Sequence, residues 1–125
     1  MKLKALMVVK SVVCLVFGVG FLAIPATVFG WYGMELDPAG TLIARLFGQA
    51  FVLIALLLWL ARNTMEPGTQ TAIAVSVFVG DAIGTVVSVV AVSSGVTNAL
   101  GWLTVALYAV LALGFGFFVV HRPLT

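Results

Sequence analysis

The stretch AVSVFVGDAIGTVVSVV, residues 74–90, is apolar or small throughout except for one carboxylate, Asp81, near its middle. Together with the apolar residues around it, the stretch reaches the roughly 20 residues that an α-helix needs to cross a bilayer. It therefore predicts a membrane-spanning helix with an acidic group in the hydrocarbon region. Because such a group needs a partner or water, the rest of the chain is expected to supply one.

The whole chain shares the apolar character of this stretch. Its 125 residues are 63% hydrophobic and 8% charged, with a mean hydropathy of +1.28, whereas soluble domains are roughly 45–50% apolar. Short breaks rich in Gly, Pro, Ser and Asn separate four apolar runs, and such short connections favour antiparallel neighbours. The sequence predicts a single all-α transmembrane domain over residues 1–125, a four-helix bundle with helices at about 6–29, 41–62, 70–93 and 98–120.

The first apolar run begins with lysines, as a secretory signal peptide does. It extends well past a normal signal core and has no clear small-x-small cleavage site, so we expect it to be the first membrane helix. Pro25 cannot donate a backbone hydrogen bond and clashes with the preceding helical turn. Helix 1 is therefore expected to kink or end there, which makes residues 24–33 a bent outer segment.

The charged residues are divided between the two sides of the predicted bundle. Glu35 and Asp37 fall on one side, and most basic residues fall on the other: Lys2, Lys4, Lys10, Arg62 and Arg122. Cytoplasmic loops of membrane proteins carry the excess of Lys and Arg. Both termini are therefore predicted to be cytoplasmic.

Several function classes lack the residues they require. Six basic and four acidic residues give a net charge of only +2, and the basic residues are scattered, which argues against nucleic-acid binding. Cys14 is the only cysteine, and no His and Cys cluster resembles a metal or haem site, so no cofactor is expected. Catalytic triads, paired carboxylates and phosphate loops do not occur. Cys14 is interpreted as a packing residue on the face of Ser11 and Gly18.

Four polar side chains are predicted to meet inside the bundle. Counting from the helix ends places Gln49, Asp81 and Tyr108 near the bilayer centre, with Arg45 on the face of Gln49, about 6 Å nearer the outside. A central Asp or Arg costs about 2.5 to 3.5 kcal/mol in lipid. The hypothesis is that Arg45 holds Asp81 directly, through Gln49 or through water, while Tyr108 donates a hydrogen bond. Such a network either fixes helix register or lets Asp81 bind protons or a cation.

A stripe of small residues follows one face of the third helix. Its members recur every four residues and are Ser76, Gly80, Gly84 and Ser88. Small residues at this spacing let helix backbones approach closely in membranes. The stripe therefore predicts a helix-packing seam, and Asp81, which lies beside it, is expected to point into protein.

The segment IPATVFGWYGMELDPAGTLIARLFGQAFVLIALLLWLAR, residues 24–62, resembles small bacterial and archaeal membrane proteins of the DoxX-like type. The likeness rests on a proline after helix 1, a glycine in an acidic outer loop, and ARLFGQ at the start of helix 2. The residues that match in this sequence are Pro25, Gly33, Arg45 and Gly48. It covers the first half of the chain. The resemblance implies a multi-pass protein of a prokaryotic cytoplasmic membrane, in a family whose few assigned roles concern membrane redox or quinone-linked systems.

Two functions follow from these observations. The first is an accessory or structural membrane subunit, in contact with lipids, that assembles as a homo-oligomer or within a larger membrane complex. The alternative is an oligomeric transporter or channel subunit, in which Asp81 couples to protons or carries a small solute and Arg45 and Gln49 line a polar path. An enzyme or quinone-binding role rests on the resemblance alone.

Overall fold

The computed structural model describes residues 2–121, and every regular element in that range is an α-helix. In chain order the helices are α1 Leu3–Ala23, α2 Pro25–Trp31, α3 Pro38–Ala61, α4 Pro67–Ser93 and α5 Gly101–His121. All except α2 are long and apolar enough to cross a membrane. The prediction of an all-α chain with four candidate membrane spans is confirmed. Arg122, which entered the charge argument, lies outside the described residues.

Pro25 ends the first long helix, as the sequence predicts. Ile24 leaves the helical conformation with φ −137° and ψ 55°, and Pro25 becomes the first residue of the short helix α2. Proline is favoured at this position because its missing N–H has no helical partner there. The predicted single helix over residues 6–29 is therefore two helices, and α2 forms the bent outer segment.

The helix α3 begins three residues before its predicted start because Pro38 occupies its first turn. Asp37 precedes the proline, and its side chain accepts a hydrogen bond of 2.6 Å from the backbone N–H of Gly40. This bond satisfies one of the N–H groups that a helix start leaves without an intrahelical partner.

The helix α4 begins in the same manner. Glu66 accepts hydrogen bonds from the backbone N–H groups of Gly68 and Thr69, at 2.9 and 2.6 Å, and from the Thr69 hydroxyl. These bonds, the Thr69 hydroxyl first among them, lower the pKa of Glu66 below its ordinary value. Pro67 takes the first helical position, so α4 starts at residue 67 rather than 70.

The four long helices form two antiparallel hairpins. The N-terminal hairpin consists of α1 packed along α3, and the C-terminal hairpin consists of α4 packed along α5. Between the hairpins the closest approach is that of α1 and α5, whereas α3 and α4 do not pack along each other. The expectation that all sequential helices are neighbours is therefore wrong for α3 and α4, although a short loop joins them.

Small residues allow the close approach of α1 and α3. A Cβ added to Gly18 would lie 2.9 Å from the carbonyl oxygen of Gly48, and one added to Gly48 would lie 2.8 Å from that of Gly18. The hydroxyl of Ser11 donates a 2.7 Å hydrogen bond to the carbonyl of Ala55. Cys14 is 2% exposed on the same face of α1, which confirms its interpretation as a packing residue.

Two further contacts join the hairpins at their opposite ends. At the end that carries the N-terminus, an apolar cluster draws on all four long helices and contains Leu3, Leu6, Met7, Leu58, Ala74, Leu111 and Phe115. At the other end, called the outer end below, Asn98 donates from its backbone to Tyr32 and from its side chain to Trp31, at 2.9 and 3.1 Å. Between these two ends the hairpins diverge and leave a cleft.

Candidate functional site

A buried ion pair connects the two hairpins within the candidate membrane spans. Lys10 of α1 places its Nζ 2.6 Å from Oδ1 of Asp81 on α4, and both side chains are less than a tenth exposed. In lipid either charge alone would be unfavourable, so each is expected to need the other. The pair therefore explains how a carboxylate is accommodated in the middle of the third candidate membrane span.

Tyr108 of α5 completes the surroundings of this pair with its ring rather than its hydroxyl. The Nζ of Lys10 lies 5.3 Å from the centre of the Tyr108 ring, a cation–π distance. The ring also packs on Gly84, where an added Cβ would lie 2.8 Å from it. Oδ2 of Asp81 has no hydrogen-bond partner among the described residues. Tyr108 therefore does not donate the hydrogen bond to Asp81 that the sequence hypothesis assigned to it.

The hypothesis that Arg45 is the partner of Asp81 is wrong. Arg45 is exposed, because Ala44 and Gly48 are the residues of α3 that turn toward α1, and this rotation carries Arg45 away from the bundle. From the charge pattern of the sequence, Lys10 is expected on the cytoplasmic side instead. A signal for its real position existed: it lies in an apolar run, three residues after Met7 and four before Cys14, on one helix face.

The cleft between the hairpins is a cavity of about 400 Å³. Its lining is almost entirely apolar and includes the aromatic side chains of Phe17, Phe21, Phe29, Phe47 and Phe51. Because α3 and α4 do not pack along each other, the cleft opens sideways between them. Its edges there are formed by Phe47 on α3 and by Ile83 and Val87 on α4, which are 44%, 59% and 61% exposed.

Most polar groups of this interhairpin cleft lie at its two ends. Lys10 borders its inner end. At its outer end the hydroxyls of Tyr32 and Thr104 are hydrogen-bonded to each other at 2.9 Å. Ser88 lies between the two ends and is half-buried. Sequence reasoning missed Tyr32 and Thr104 because nothing in their spacing shows that two hairpins bring them together.

Arg45 and Gln49 form a separate polar patch on the outside of the N-terminal hairpin. Both are exposed and lie four residues apart on one face of α3. Helical geometry places them on the flank opposite Phe47 and Phe51, with Gly48 and its contact to α1 between the two flanks. The structure thus separates Arg45 and Gln49 from Asp81 and Tyr108, which it brings together.

The stripe of small residues on α4 has mixed surroundings. Ser76 is exposed, and a Cβ added to Gly80 would meet no atom within 4 Å. Gly84 packs on Tyr108, and Ser88 is half-buried in the lining of the cleft. Only Gly84 therefore has the close contact typical of a seam, and a seam toward another chain stays a prediction.

Within residues 2–121 no group of three or more His, Cys, Asp or Glu side chains is placed to hold a metal ion. No family model, curated protein or solved structure matches the chain. The resemblance to DoxX-like proteins consequently stays a prediction. What the structure offers for chemistry is a salt-bridged lysine and carboxylate beside an apolar cleft, and an exposed Arg and Gln on the opposite flank of α3.

Proposed function

We propose that the chain is an accessory subunit of a larger membrane complex and that it meets its partner through Arg45 and Gln49. The observation that carries the proposal is the exposure of these two polar side chains on a membrane-spanning helix. Polar groups within spans almost always face protein or water. A partner helix that covers this face would meet that requirement.

Gln49 favours a protein partner over lipid headgroups. Arg45 lies about 10 Å below the start of α3, so its long side chain can reach the headgroup level unaided. Gln49 lies one turn deeper and has a shorter side chain, so its amide stays in the hydrocarbon region. A hydrogen-bonding group from another helix would satisfy that amide, whereas a lipid phosphate would not.

The acidic residues of the chain argue against a second copy as the partner of Gln49. The chain has four of them, Glu35, Asp37, Glu66 and Asp81. Glu35 and Asp37 precede α3, Glu66 caps α4 at the opposite end of the bundle, and Asp81 is buried against Lys10. Glu35 or Asp37 of a second copy could meet the guanidinium of Arg45, but no exposed carboxylate would lie at the depth of Gln49. We therefore infer a different protein that carries an acidic or amide side chain at that depth.

Site-specific photo-crosslinking in native membranes tests this proposal. A benzophenone amino acid in place of Leu53, which is 55% exposed and lies one turn from Gln49 on the same face, should give one discrete adduct with another membrane protein. The same group at Leu113 of α5, which is 73% exposed, is the control and should give only lipid adducts. Changing Arg45 and Gln49 to Leu should abolish the adduct from position 53.

Two results would contradict the assignment. An adduct at twice the chain mass of 13.1 kDa would identify a homo-oligomer instead. Equal labelling from positions 53 and 113, unaffected by the changes at Arg45 and Gln49, would show that lipid covers both faces and that this face recognises no partner.

A second candidate function, proton or cation coupling, is favoured by one observation. Oδ2 of Asp81 is buried and has no hydrogen-bond partner among the described residues, so we infer that it can take up a proton or a small cation. Proteoliposomes with a pH-sensitive dye inside test this function. Asp81→Asn should abolish a protein-dependent proton flux. A wild-type flux no higher than that of empty liposomes, or an equal flux in the wild type and the variant, would exclude the role.

A further inference from the structure

The interhairpin cleft has the shape of a slot that is open to the side. It runs from Lys10 toward the outer end of α1, and the thirteen helical steps from Lys10 to Ala23 rise about 20 Å. A volume of about 400 Å³ spread over this length leaves a cross-section of about 20 Å², enough for one extended hydrocarbon chain. The slot is also slightly deeper than half of a bilayer core of roughly 30 Å.

The entrance faces lipid rather than water. The outer end is bridged by Asn98, which bonds to Tyr32 and Trp31, and the inner end is filled by the apolar cluster. The remaining opening is the gap between α3 and α4. Phe47 and Phe51 stand on its α3 side with ring centres 4.4 Å apart, which makes an aromatic wall along the entrance.

The inner end of the cleft carries no net charge. The ammonium of Lys10 is neutralised by Asp81 and lies against the ring of Tyr108. An anionic group placed there would also meet the carboxylate of Asp81. This end therefore accommodates the apolar terminus of a molecule better than a charged headgroup.

Neutral hydrogen-bond donors lie at the outer end. One hydrogen bond joins the hydroxyls of Tyr32 and Thr104, so one of their two protons has no acceptor among the described residues. The hydroxyl of Thr97 also has no partner among the described residues, but protein encloses it too tightly for a molecule in the cleft to reach it. The spare proton of the Tyr32 and Thr104 pair is therefore the one that would stabilise a hydrogen-bond acceptor at this end.

We propose that the interhairpin cleft binds a single-chain lipid that enters sideways between α3 and α4. Its hydrocarbon chain lies along the phenylalanines and ends near Tyr108, and a headgroup oxygen accepts a hydrogen bond from the Tyr32 and Thr104 pair. The proposal does not rest on the subunit role, because Arg45 and Gln49 occupy the other flank of α3.

Photolabelling with a C16 fatty acid that carries a mid-chain diazirine tests the proposal on the full chain in phosphatidylcholine nanodiscs. Mass spectrometry should find adducts on residues that line the cleft away from its entrance, such as Phe17 and Leu107. Adducts restricted to outward residues such as Leu56 and Leu60 would overturn the proposal.

A matched pair of variants on α4 tests the location. Gly80 has open space at its Cβ and borders the cleft, so Gly80→Leu fills the slot without a backbone clash. Cleft labelling should fall at least about fivefold through this steric overlap. Ser76 is exposed one turn away and does not line the cleft, so Ser76→Leu should leave labelling unchanged. Equal effects of the two variants would overturn the location.

Tyr32→Phe tests recognition of the headgroup, and Thr97→Val is its control. Loss of the spare hydroxyl proton of the Tyr32 and Thr104 pair should weaken binding about two- to tenfold. Thr97→Val removes a hydroxyl that is enclosed by protein, so it should leave the labelling yield unchanged. An unchanged yield in Tyr32→Phe would remove the headgroup contact from the proposal.

A second probe tests whether the hydrocarbon chain in the cleft belongs to a single-chain lipid or to a bilayer phospholipid. Phosphatidylcholine that carries the same diazirine on one of its two chains should label the cleft at least about fivefold less than the fatty acid at equal concentration, because the slot admits one chain. Equal labelling by both probes would overturn the single-chain assignment in favour of a bilayer phospholipid.

Discussion

At the scale of single residues, the environment of Lys10 explains how an ammonium is accommodated inside a membrane helix. Its charge is met by a carboxylate at 2.6 Å and by the face of the Tyr108 ring. Breaking a buried pair by removing one partner is far more destabilising than removing both, because a single charge is then left without compensation. Both groups are therefore expected to depend on each other more than on any third residue.

The role of the Tyr108 ring can be separated from that of its hydroxyl. Tyr108→Phe keeps the ring over Lys10 and its contact with Gly84, so the free energy of unfolding should change by less than about 0.5 kcal/mol. Tyr108→Leu removes the ring and should lose about 1 to 2 kcal/mol. Unfolding in mixed micelles measures both. A larger loss for Tyr108→Phe than for Tyr108→Leu would restore the hydrogen-bonding role.

At the scale of helices, the contact between α1 and α3 depends on two glycines, and α4 supplies a matched control. Gly48→Ala places a methyl group 2.8 Å from the carbonyl oxygen of Gly18, so we expect a loss of about 1 to 3 kcal/mol. Gly80→Ala meets no atom within 4 Å and should be neutral or stabilising by up to about 1 kcal/mol. Thermal unfolding in detergent compares the two, and equal losses would refute the α1–α3 contact.

The hydrogen bonds of Glu66 at the start of α4 should make the stability of the protein depend on pH. The hydrogen bonds from Thr69 and Gly68 lower the pKa of Glu66, so its contribution to stability is complete above the ordinary value of 4.5 and is lost as pH falls through the lowered pKa. We expect the unfolding temperature of the wild type to fall across that range by more than that of Glu66→Gln. If the unfolding temperatures of the two proteins depended on pH in the same way, the hydrogen bonds of Glu66 would not contribute to stability.

At the scale of the whole molecule, hydropathy predicts the number of candidate spans, since each span is a long local run. The break at Pro25 is equally local and is confirmed. The pairing of Asp81 with Lys10 instead of Arg45 could not be predicted, because it depends on the rotation of each helix and on the order of packing. Those are set by glycine contacts such as that of Gly18 with Gly48, which lie thirty residues apart in sequence.

Orientation in the membrane is a prediction for the molecule as a whole. Lys10 pairs with Asp81 inside the bundle and does not count as a charge of the cytoplasmic side. The other basic residues at that end are Lys2, Lys4 and Arg62, and they lie opposite Glu35 and Asp37. We expect both termini to be cytoplasmic. A fluorescent protein fused to the C-terminus should therefore fluoresce in bacterial cells, while an alkaline phosphatase fusion should be inactive. The reverse pattern would contradict the orientation.

The central claim is that the ion pair between Lys10 and Asp81 holds the two hairpins together, and a double-mutant cycle tests it most directly. The free energy of unfolding would be measured for the wild type, Lys10→Met, Asp81→Asn and the double variant. We expect each single variant to lose about 3 kcal/mol, and the double variant to lose no more than either single one. Additive losses, with no coupling between the two positions, would contradict the claim.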